Sequence, residues 1–519
     1  MKNNRRYLFR MIIPAMADNV FNRIMKKTIA LGPVMVATAA GELPDWDAEI
    51  IHEAGSQKQI PRNAEGKINH FALQKERPAD AIGLYCGISS TMPRAWQIAK
   101  FYQKQRVLTV AGGLHSHYEP LESLKNGIDA VIHGDGEETI KKILIYFQNF
   151  PKERNFSKIQ NVSCFENEGV GFLKSDFTQN SQKYSAFLDN LPDSDFGLIR
   201  DCKIKTYPIG RIRGCGMRCE FCSVKEIARW ASPEKLFETI GRLVKVRKAK
   251  KFFLVDDRME EDKKGSMRFF ELISKRYGRK LDFTIQIRLE AAQDEELLAL
   301  LQKAGVRRVC IGYESPIDEE LKKMKKGYRS REMLEWTKIY HRYDFLVHAM
   351  FIFGYPGIKS PLSAKERLER FKKFIFQSKV DSIQVLKPIP LVGSLLRERL
   401  KSANRLLPLV IVPWEKYDGN HICFLPEDMS LKELQEYPTQ IMKWFYDSWS
   451  FWRIGLRTVA MPFVFLWRGW HFWHRGWWND IVRFGGSRIF KKWKRQNNEI
   501  LYVKNIEDFL NKNLSFKNP

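Results

Sequence analysis

The chain has 519 residues, of which 44% are hydrophobic and 28% are charged, the balance of an ordinary folded protein. This composition excludes a disordered tail, a collagen-like fibre and a polytopic membrane protein, and the length allows more than one domain. The mean hydropathy is −0.39, and no apolar run approaches the roughly 20 residues that a membrane-spanning helix needs. The net charge of +27 favours an anionic partner, which charge alone does not identify.

The first residues are basic but lead into no long apolar segment with a cleavage site, so we expect no signal peptide. Eight cysteines in a chain of this length do not make a disulfide framework, and without export their thiols stay reduced. The sequence therefore predicts a cytoplasmic protein, with contact at the inner face of the membrane left open.

Residues 1–150 alternate between strands and helices. Apolar runs predict strands that begin at Ala81, Val107 and Ala130, with a helix between each pair. This order is typical of an α/β domain with a doubly wound, Rossmann-like parallel sheet, which binds ligands at the carboxyl ends of its strands. The polar segment 151–195 is interpreted as a linker.

Residues 196–400 contain six strand and helix units. The strands are predicted at 207–212, 251–256, 281–288, 306–312, 345–353 and 381–387. Six such units predict a partial (β/α)6 barrel of the TIM type, with a site on the loops at the carboxyl ends of the strands. Residues 401–519 are interpreted as a helical, basic, tryptophan-rich region.

Three cysteines follow the first barrel strand with the spacing C-x3-C-x2-C: Cys215, Cys219 and Cys222. Thiolates suit zinc or an iron–sulfur cluster. A structural zinc site needs four ligands, and no fourth cysteine or histidine lies nearby in register, whereas a cluster on three thiolates leaves one iron open. Zinc with a remote ligand, and a group of inert buried cysteines, are the alternatives.

This motif, with an aromatic residue before its last cysteine, resembles the radical SAM enzymes. The resemblance implies a 4Fe–4S cluster whose open iron binds S-adenosylmethionine, and one-electron cleavage to a 5′-deoxyadenosyl radical. It also implies that the following residues contact S-adenosylmethionine: Phe221, Asp256, Asp257, Arg288, Glu314 and Gly354. Two simpler interpretations stay open, namely that Asp256 and Asp257 cap the next helix and that Arg288 pairs with Glu290.

The strand-end loops of residues 1–150 resemble the cobalamin-binding domain that precedes many radical SAM domains. The matching residues are Ser89, Ser90, Thr91, Gly112, Gly113, His115, Gly134 and Glu137. A sheet without a ligand is the alternative. One departure concerns His52, because Ile50 replaces the aspartate of the histidine motif found in many cobalamin proteins, so we expect no axial histidine from there.

Together the resemblances imply an enzyme that uses a 4Fe–4S cluster, S-adenosylmethionine and cobalamin, with an electron donor such as flavodoxin or ferredoxin. The predicted reaction is methylation of an unactivated carbon of a small substrate. A cyclase or oxidoreductase without net methyl transfer, an RNA-modifying enzyme and a non-catalytic sensor are the alternatives. The sequence assigns no residue to hydrogen transfer.

Nine of the 14 tryptophans lie between Trp444 and Trp493, interleaved with arginine and lysine. This pattern over 441–495 favours peripheral contact with a membrane and a lipid or isoprenoid substrate. A helical cap on the barrel and stacking on single-stranded nucleic acid fit the same pattern. We do not expect nucleic acid as the partner, since no RNA-binding appendage is recognisable.

Overall fold

The computed structural model describes the chain except for residues 1–4, 17–25, 56–58, 166–171, 175–187, 358–361, 448, 497 and 514–519, and except for the side chains of 172–174, 465, 467–472 and 494–496. Two β-sheets organise the described residues, and one hydrophobic core runs through both of them.

The first sheet has seven strands in the order β2-β1-β3-β4-β5-β6-β7, and its first five are parallel. Its strands are Tyr7–Ile13 (β1), Trp46–His52 (β2), Ala81–Tyr85 (β3), Leu108–Gly112 (β4), Ala130–Ile132 (β5), Val162–Phe165 (β6) and Phe172–Lys174 (β7). Its helices are Leu31–Gly41 (α1), His70–Glu76 (α2), Met92–Lys104 (α3), Leu114–Tyr118 (α4), Pro120–Lys125 (α5) and Glu137–Asn149 (α6). The predicted doubly wound sheet is confirmed.

A central strand of this sheet, β1, was not among the predicted elements. A charged residue, Arg10, interrupts its apolar run, yet this side chain is fully buried. Its guanidinium donates to Glu49 at 2.6 Å and to the Tyr102 hydroxyl at 3.0 Å. These partners come from distant parts of the sequence, so the pattern of β1 alone does not predict a buried strand.

The predicted linker over 151–195 is wrong in part, because it contains β6 and β7. These strands extend the sheet by antiparallel pairing, β6 with β5 and β7 with β6. Val162 and Cys164 are buried, and so is the polar Ser163 between them, whose hydroxyl lies 2.7 Å from His133 Nε2.

The second sheet has six parallel strands in the order β15-β14-β13-β12-β11-β8, which confirms the predicted partial barrel. The strands are Tyr207–Ile209 (β8), Lys251–Leu254 (β11), Asp282–Gln286 (β12), Val306–Glu314 (β13), Leu346–Ile352 (β14) and Ser382–Leu386 (β15). The helices are Pro233–Arg247 (α7), Lys263–Tyr277 (α8), Glu295–Lys303 (α9), Asp318–Lys323 (α10), Ser330–Arg342 (α11) and Ala364–Ser378 (α12). A short antiparallel ribbon, Ile212–Arg213 (β9) with Arg229–Trp230 (β10), follows β8.

The C-terminal region is helical: Leu395–Ser402 (α13), Leu431–Phe445 (α14), Ser450–Val459 (α15), Met461–Gln496 (α16) and Glu499–Lys512 (α17). Arg475 of α16 donates to Asp381 at 2.7 Å and to the Phe345 carbonyl at 2.8 Å. Both acceptors immediately precede barrel strands, so α16 crosses the amino ends of β14 and β15. The tryptophans of this region differ in exposure: Trp473 is buried, whereas Trp449 is exposed.

Candidate active site

The three cysteines lie on a loop between β9 and β10, at the carboxyl end of the first barrel strand. None of the three is in a disulfide, and each is partly exposed. Gly214 enters the loop with φ +85°, and a Cβ there would come within 2.7 Å of the Ile227 carbonyl oxygen. The segment that leads back to β10 therefore packs directly on this glycine, and the Cys215 N–H donates to the Glu226 carbonyl at 3.2 Å.

The donor chemistry of this loop fits an iron–sulfur cluster. Burial raises the pKa of Cys215 and of Cys222. A negative charge on the neighbouring Cys219 raises the pKa of both thiols further. No three histidine, cysteine or carboxylate side chains among the described residues converge on one metal ion. The three thiols of this loop are the soft ligands that hold iron–sulfur clusters.

Glu220, between two of the cysteines, ties the loop to the far side of the barrel. Its carboxylate accepts from the Tyr355 hydroxyl at 2.6 Å and from Arg399 Nε at 2.6 Å. Burial opposes ionisation, but these two donors hold the pKa of Glu220 below its usual value. The sequence analysis missed this contact, because the partners lie more than 130 residues away and share no motif.

Asp256 and Asp257 support the backbone that leads into the cysteine loop. Asp256 accepts from the N–H groups of Arg211 at 2.6 Å and Ile212 at 2.9 Å, and Asp257 accepts from Gly214 at 2.9 Å. Burial raises the pKa of Asp256 to about 6 against these hydrogen bonds. A contact with S-adenosylmethionine stays a prediction for both.

The alternative that this pair caps the following helix is wrong. The residue before α8 is Asp262, whose side chain accepts from the Gly265 N–H at 3.2 Å.

Arg288 pairs with Glu290, as one of the open interpretations held. Its Nη1 also lies 3.4 Å from the Met217 sulfur, within the cysteine loop. Arg288 therefore faces the loop with part of its guanidinium already engaged, and its contact with S-adenosylmethionine stays a prediction.

Phe221 and Glu314 lie around the same lysine, and Gly354 precedes Tyr355, whose ring centroid lies 6.3 Å from that of Phe221. Lys326 Nζ lies 2.9 Å from Glu314 and 5.9 Å from the centroid of the Phe221 ring. Gly354 has φ +77°, and a Cβ there would lie 2.5 Å from a methyl of Leu434 on α14. The glycine is thus required for close helix packing, and a role at adenine is untested.

The predicted cobalamin edge lies at the carboxyl ends of β3, β4 and β5. Ser89 bonds His115 Nδ1 at 3.0 Å, and Thr91 donates to the Ile88 carbonyl. The hydroxyl of Ser90 is buried, with no hydrogen-bond partner among the described residues. An unpaired buried hydroxyl at a strand-end loop is suited to a polar group of a ligand.

His115 is fully buried and packs edge-on against Trp414, with ring centroids 4.6 Å apart. The Trp414 Nε1 donates to Glu122 at 3.0 Å, so the C-terminal region closes over this edge of the first sheet. His115 supports the edge from inside the fold.

A cavity of about 370 Å³ lies between the carboxyl ends of the two sheets. Its walls include Gly112, Gly113 and Gly134 of the first sheet and Arg213 and Asp257 of the second. Helix α1, which the sequence analysis did not predict, closes one side with residues Leu31, Pro33 and Val36. These glycine-rich strand ends leave room for a flat or bulky ligand, as a cobalamin site requires.

An ionic bridge crosses this cavity. Arg213 donates to Asp135 at 2.8 Å and to Glu137 at 2.6 Å, and Arg229 also pairs with Asp135. Both oxygens of Glu137 accept from Arg213, so Glu137 holds the cysteine loop against the first sheet, and its contact with cobalamin stays a prediction.

A profile of the Radical SAM superfamily matches residues 209–360, and a profile of the B12 binding domain matches residues 28–144. The two matched segments form the two edges of this cavity and cover just over half of the chain. The chain combines a B12-binding domain with a radical SAM domain. Its cofactors are the 4Fe–4S cluster and S-adenosylmethionine of the radical SAM domain and the cobalamin of the B12-binding domain.

Three relatives show the range of chemistry in this radical SAM family. An uncharacterised methyltransferase of Pyrococcus horikoshii is 25% identical over 356 residues, which are 66% of this chain and 73% of that protein. The anaerobic magnesium-protoporphyrin IX monomethyl ester cyclase of Cereibacter sphaeroides is 26% identical over 264 residues, 48% of this chain and 42% of the cyclase. The hopanoid C-2 methylase of Rhodopseudomonas palustris is 26% identical over 214 residues, 39% of each protein.

Two solved structures share this fold at low identity. The cobalamin-dependent radical enzyme OxsB, with aqua-cobalamin and S-adenosylmethionine bound, has a TM-score of 0.63 at 12% identity and covers 99% of this chain and 80% of its own. The radical S-adenosylmethionine methyltransferase TsrM of Kitasatospora setae, with cobalamin and a [4Fe-4S] cluster bound, has a TM-score of 0.61 at 13% identity and covers 77% of this chain and 78% of its own.

Proposed function

We propose that this protein methylates an unactivated carbon of a small, apolar substrate of the lipid or isoprenoid class. The observation that carries the methyl-transfer proposal is the cavity between the two sheets, because its walls combine the strand-end glycines of the first sheet with Arg213 and Asp257, which adjoin the cysteine loop. When bound, the cluster with S-adenosylmethionine supplies a hydrogen-abstracting radical and cobalamin supplies the methyl group.

The residues around the cavity hold and orient these groups. Cys215, Cys219 and Cys222 would bind three irons, and Ser90 with the paired glycines at Gly112 would meet cobalamin. The Arg213 bridge fixes the distance between the two edges, since its partners lie on the loop after β5. The pairing also neutralises two buried carboxylates that would otherwise repel an anionic ligand.

The apolar substrate is proposed on two grounds. One relative is named for a hopanoid, and the C-terminal region exposes large apolar side chains beside basic ones. Peripheral contact with a membrane through 441–495 and electron supply by flavodoxin or ferredoxin belong to the same proposal.

A second candidate is a cyclase without net methyl transfer. Its support is the matched cyclase of Cereibacter sphaeroides. The two reactions differ in whether a methyl group of S-adenosylmethionine reaches the product.

The test uses the full chain, purified without oxygen and reconstituted with iron, sulfide and hydroxocobalamin. Methyl-deuterated S-adenosylmethionine, dithionite and a total lipid extract are added, and mass spectrometry follows 5′-deoxyadenosine and labelled lipid. We expect both products. Labelled lipid is absent if the enzyme is a cyclase or acts on another substrate class, and 5′-deoxyadenosine formation separates these cases from loss of the radical chemistry.

The matched variants are Cys219→Ala and Cys310→Ala. Cys310 lies in β13, where burial raises the pKa of its thiol to about 11 and leaves it protonated. We expect Cys219→Ala to lose iron and 5′-deoxyadenosine formation and Cys310→Ala to keep both. Equal iron content in the two variants would contradict the assignment of the loop.

A further inference from the structure

A stripe of large apolar side chains lies exposed on the hairpin formed by α15 and α16. Six residues, each between 64% and 83% exposed, form this apolar stripe: Trp449, Trp452, Leu456, Val459, Phe463 and Leu466. Their positions alternate steps of three and four residues, which is the spacing of one face of a helix. The Ala460 N–H donates to the Leu456 carbonyl at 2.9 Å and the Ala460 carbonyl accepts from Val464 at 3.0 Å, so the stripe continues from α15 into the first turns of α16.

The hairpin is polar on its inner side and apolar on its outer side. Arg453 and Arg457 of α15 donate to Asp480 of α16 at 2.9 and 2.6 Å, and Asp480 is buried. The indole of Trp473 donates to the Arg457 carbonyl at 2.6 Å. An amphipathic helix on the surface of a folded protein normally buries its apolar face. In this hairpin the ion pairs lie on the buried side, and the apolar side chains are exposed.

We propose that the apolar stripe inserts into the surface of an anionic phospholipid bilayer. Residues 450–496 contain ten arginines and lysines and one acidic residue, Asp480. Two of the arginines pair with Asp480 and Arg475 pairs with Asp381, which leaves seven basic residues outside these ion pairs. Tryptophan, large aliphatic side chains and basic residues together form the composition that binds the interface between lipid headgroups and acyl chains. Charge complementarity thus selects anionic lipid over a neutral apolar surface.

We expect the hairpin to lie on the surface of the bilayer. Among the described residues, no helix is long and apolar enough to cross a membrane. The stripe spans one short helix and the beginning of the next, a length that fits a hairpin lying in the plane of the headgroups.

The hairpin is fixed to the barrel end opposite the cysteine loop. Arg475 and Asn479 of α16 donate to Asp381, which precedes β15, whereas the cysteines follow β8 at the carboxyl end. Membrane binding is therefore separable from the cofactor site. The inference rests on the membrane contact of the proposed function and specifies which surface makes it.

The test measures co-sedimentation of the full chain with vesicles of phosphatidylcholine, alone or mixed with phosphatidylglycerol. We expect binding to the mixed vesicles, a blue shift of tryptophan fluorescence on binding and weaker binding at high salt. Leu456→Glu with Phe463→Glu should reduce binding about tenfold or more, because each change puts a charge into the stripe. The matched control is Phe376→Glu on α12, where the side chain is 75% exposed and lies outside the hairpin.

Two outcomes would overturn the proposal. One is equal vesicle binding by the hairpin variant and the control. The other is a wild-type dimer, seen by light scattering, that the hairpin variant converts to monomer without vesicle binding by either protein, which would assign the stripe to a second copy. Formation of 5′-deoxyadenosine by the hairpin variant shows that it folds, and this readout separates failure of the surface from failure of the proposed reaction.

Discussion

At the scale of single residues, the cysteine loop depends on side chains that its motif does not contain. Glu220 points away from the cysteines and is held by Tyr355 and Arg399, which come from the loop after β14 and from α13. Hydrogen bonds to an ionised carboxylate are stronger than those between neutral groups, so this contact fixes the backbone between Cys219 and Cys222.

We expect Tyr355→Phe to loosen this loop without unfolding the barrel. The change removes one donor from Glu220 and costs about 1–2 kcal/mol of local stability. Iron per chain after reconstitution should fall, and the midpoint potential of the reduced cluster should shift. Tyr343→Phe is the matched control, because the Tyr343 hydroxyl also donates to a glutamate, Glu295, at the exposed surface. Unchanged iron content and potential in Tyr355→Phe would remove the positioning role.

A side chain added at either of two neighbouring glycines on the cobalamin edge should have a different effect at each position. A Cβ at Gly112 would meet only the Ile132 side chain, at 4.0 Å, and would point toward the cavity. Gly113 has φ +119° and ψ 168°, a conformation that is essentially restricted to glycine, and a Cβ there would lie 2.6 Å from the Gly87 nitrogen.

We expect Gly112→Leu to fold normally and to lose corrinoid, because its side chain fills the cavity. Gly113→Ala should instead destabilise the protein by about 1–3 kcal/mol. Thermal unfolding measures stability, and the visible spectrum after desalting measures bound corrinoid. Full corrinoid binding by a folded Gly112→Leu variant would place the cofactor outside this cavity.

At the scale of elements, helix α16 is attached to the barrel by a buried carboxylate. Asp381 accepts from Arg475 at 2.7 Å, Asn479 at 2.8 Å and His341 at 3.2 Å. Burial alone would raise the pKa of Asp381, but these partners lower it from 3.8 to about 2. Since the folded pKa is the lower one, the ionised carboxylate stabilises the fold fully above pH 3.8, and this contribution is lost as the pH falls toward 2.

We expect Asp381→Asn to lower the free energy of unfolding by about 2 kcal/mol at neutral pH. The difference from wild type should stay constant down to about pH 4 and shrink below it. Urea unfolding at several pH values measures both, and Asp508→Asn on the exposed face of α17 is the control. A difference that grows on acidification would contradict the lowered pKa.

The sequence predicted the barrel strands closely, since each has buried apolar residues at alternate or successive positions and helices of period 3.6 lie between them. Strand β1 was not predicted because it contains the buried Arg10, and β6 and β7 were not predicted because they have only four and three residues. The same limit applied to the site. The cysteine spacing is local and specific, whereas the partners of Glu220 and Glu137 are brought together only by the folded chain.

At the scale of the whole molecule, the two sheets behave as one body. The hydrophobic core is continuous between them, and β2 makes a bridge from Ile50 to Ile199 on the segment that leads into the barrel. The hydroxyl of Tyr118 donates to the Ser223 carbonyl at 3.0 Å, next to the last cysteine. We therefore expect binding at one edge of the cavity to affect binding at the other edge.

The Arg213 bridge gives the strongest test of this coupling, because it joins the cobalamin edge to the cysteine loop across the cavity. Hydroxocobalamin should raise the unfolding temperature of the wild-type apoprotein, since a ligand that binds only the folded state stabilises it by about 2.7 kcal/mol at one hundred times its dissociation constant.

Arg213→Gln leaves the negative charges of Asp135 and Glu137 less neutralised, so it should weaken corrinoid binding and also lower iron incorporation at the cysteines. Arg213→Lys keeps the charge but loses the bidentate geometry, so its corrinoid binding and iron incorporation should lie between those of wild type and Arg213→Gln. Arg268→Gln removes an arginine pair with Glu234 at the surface and should change neither property. If Arg213→Gln affected corrinoid alone and left iron incorporation at the wild-type level, the two edges would be independent and the bridge would serve the first sheet only.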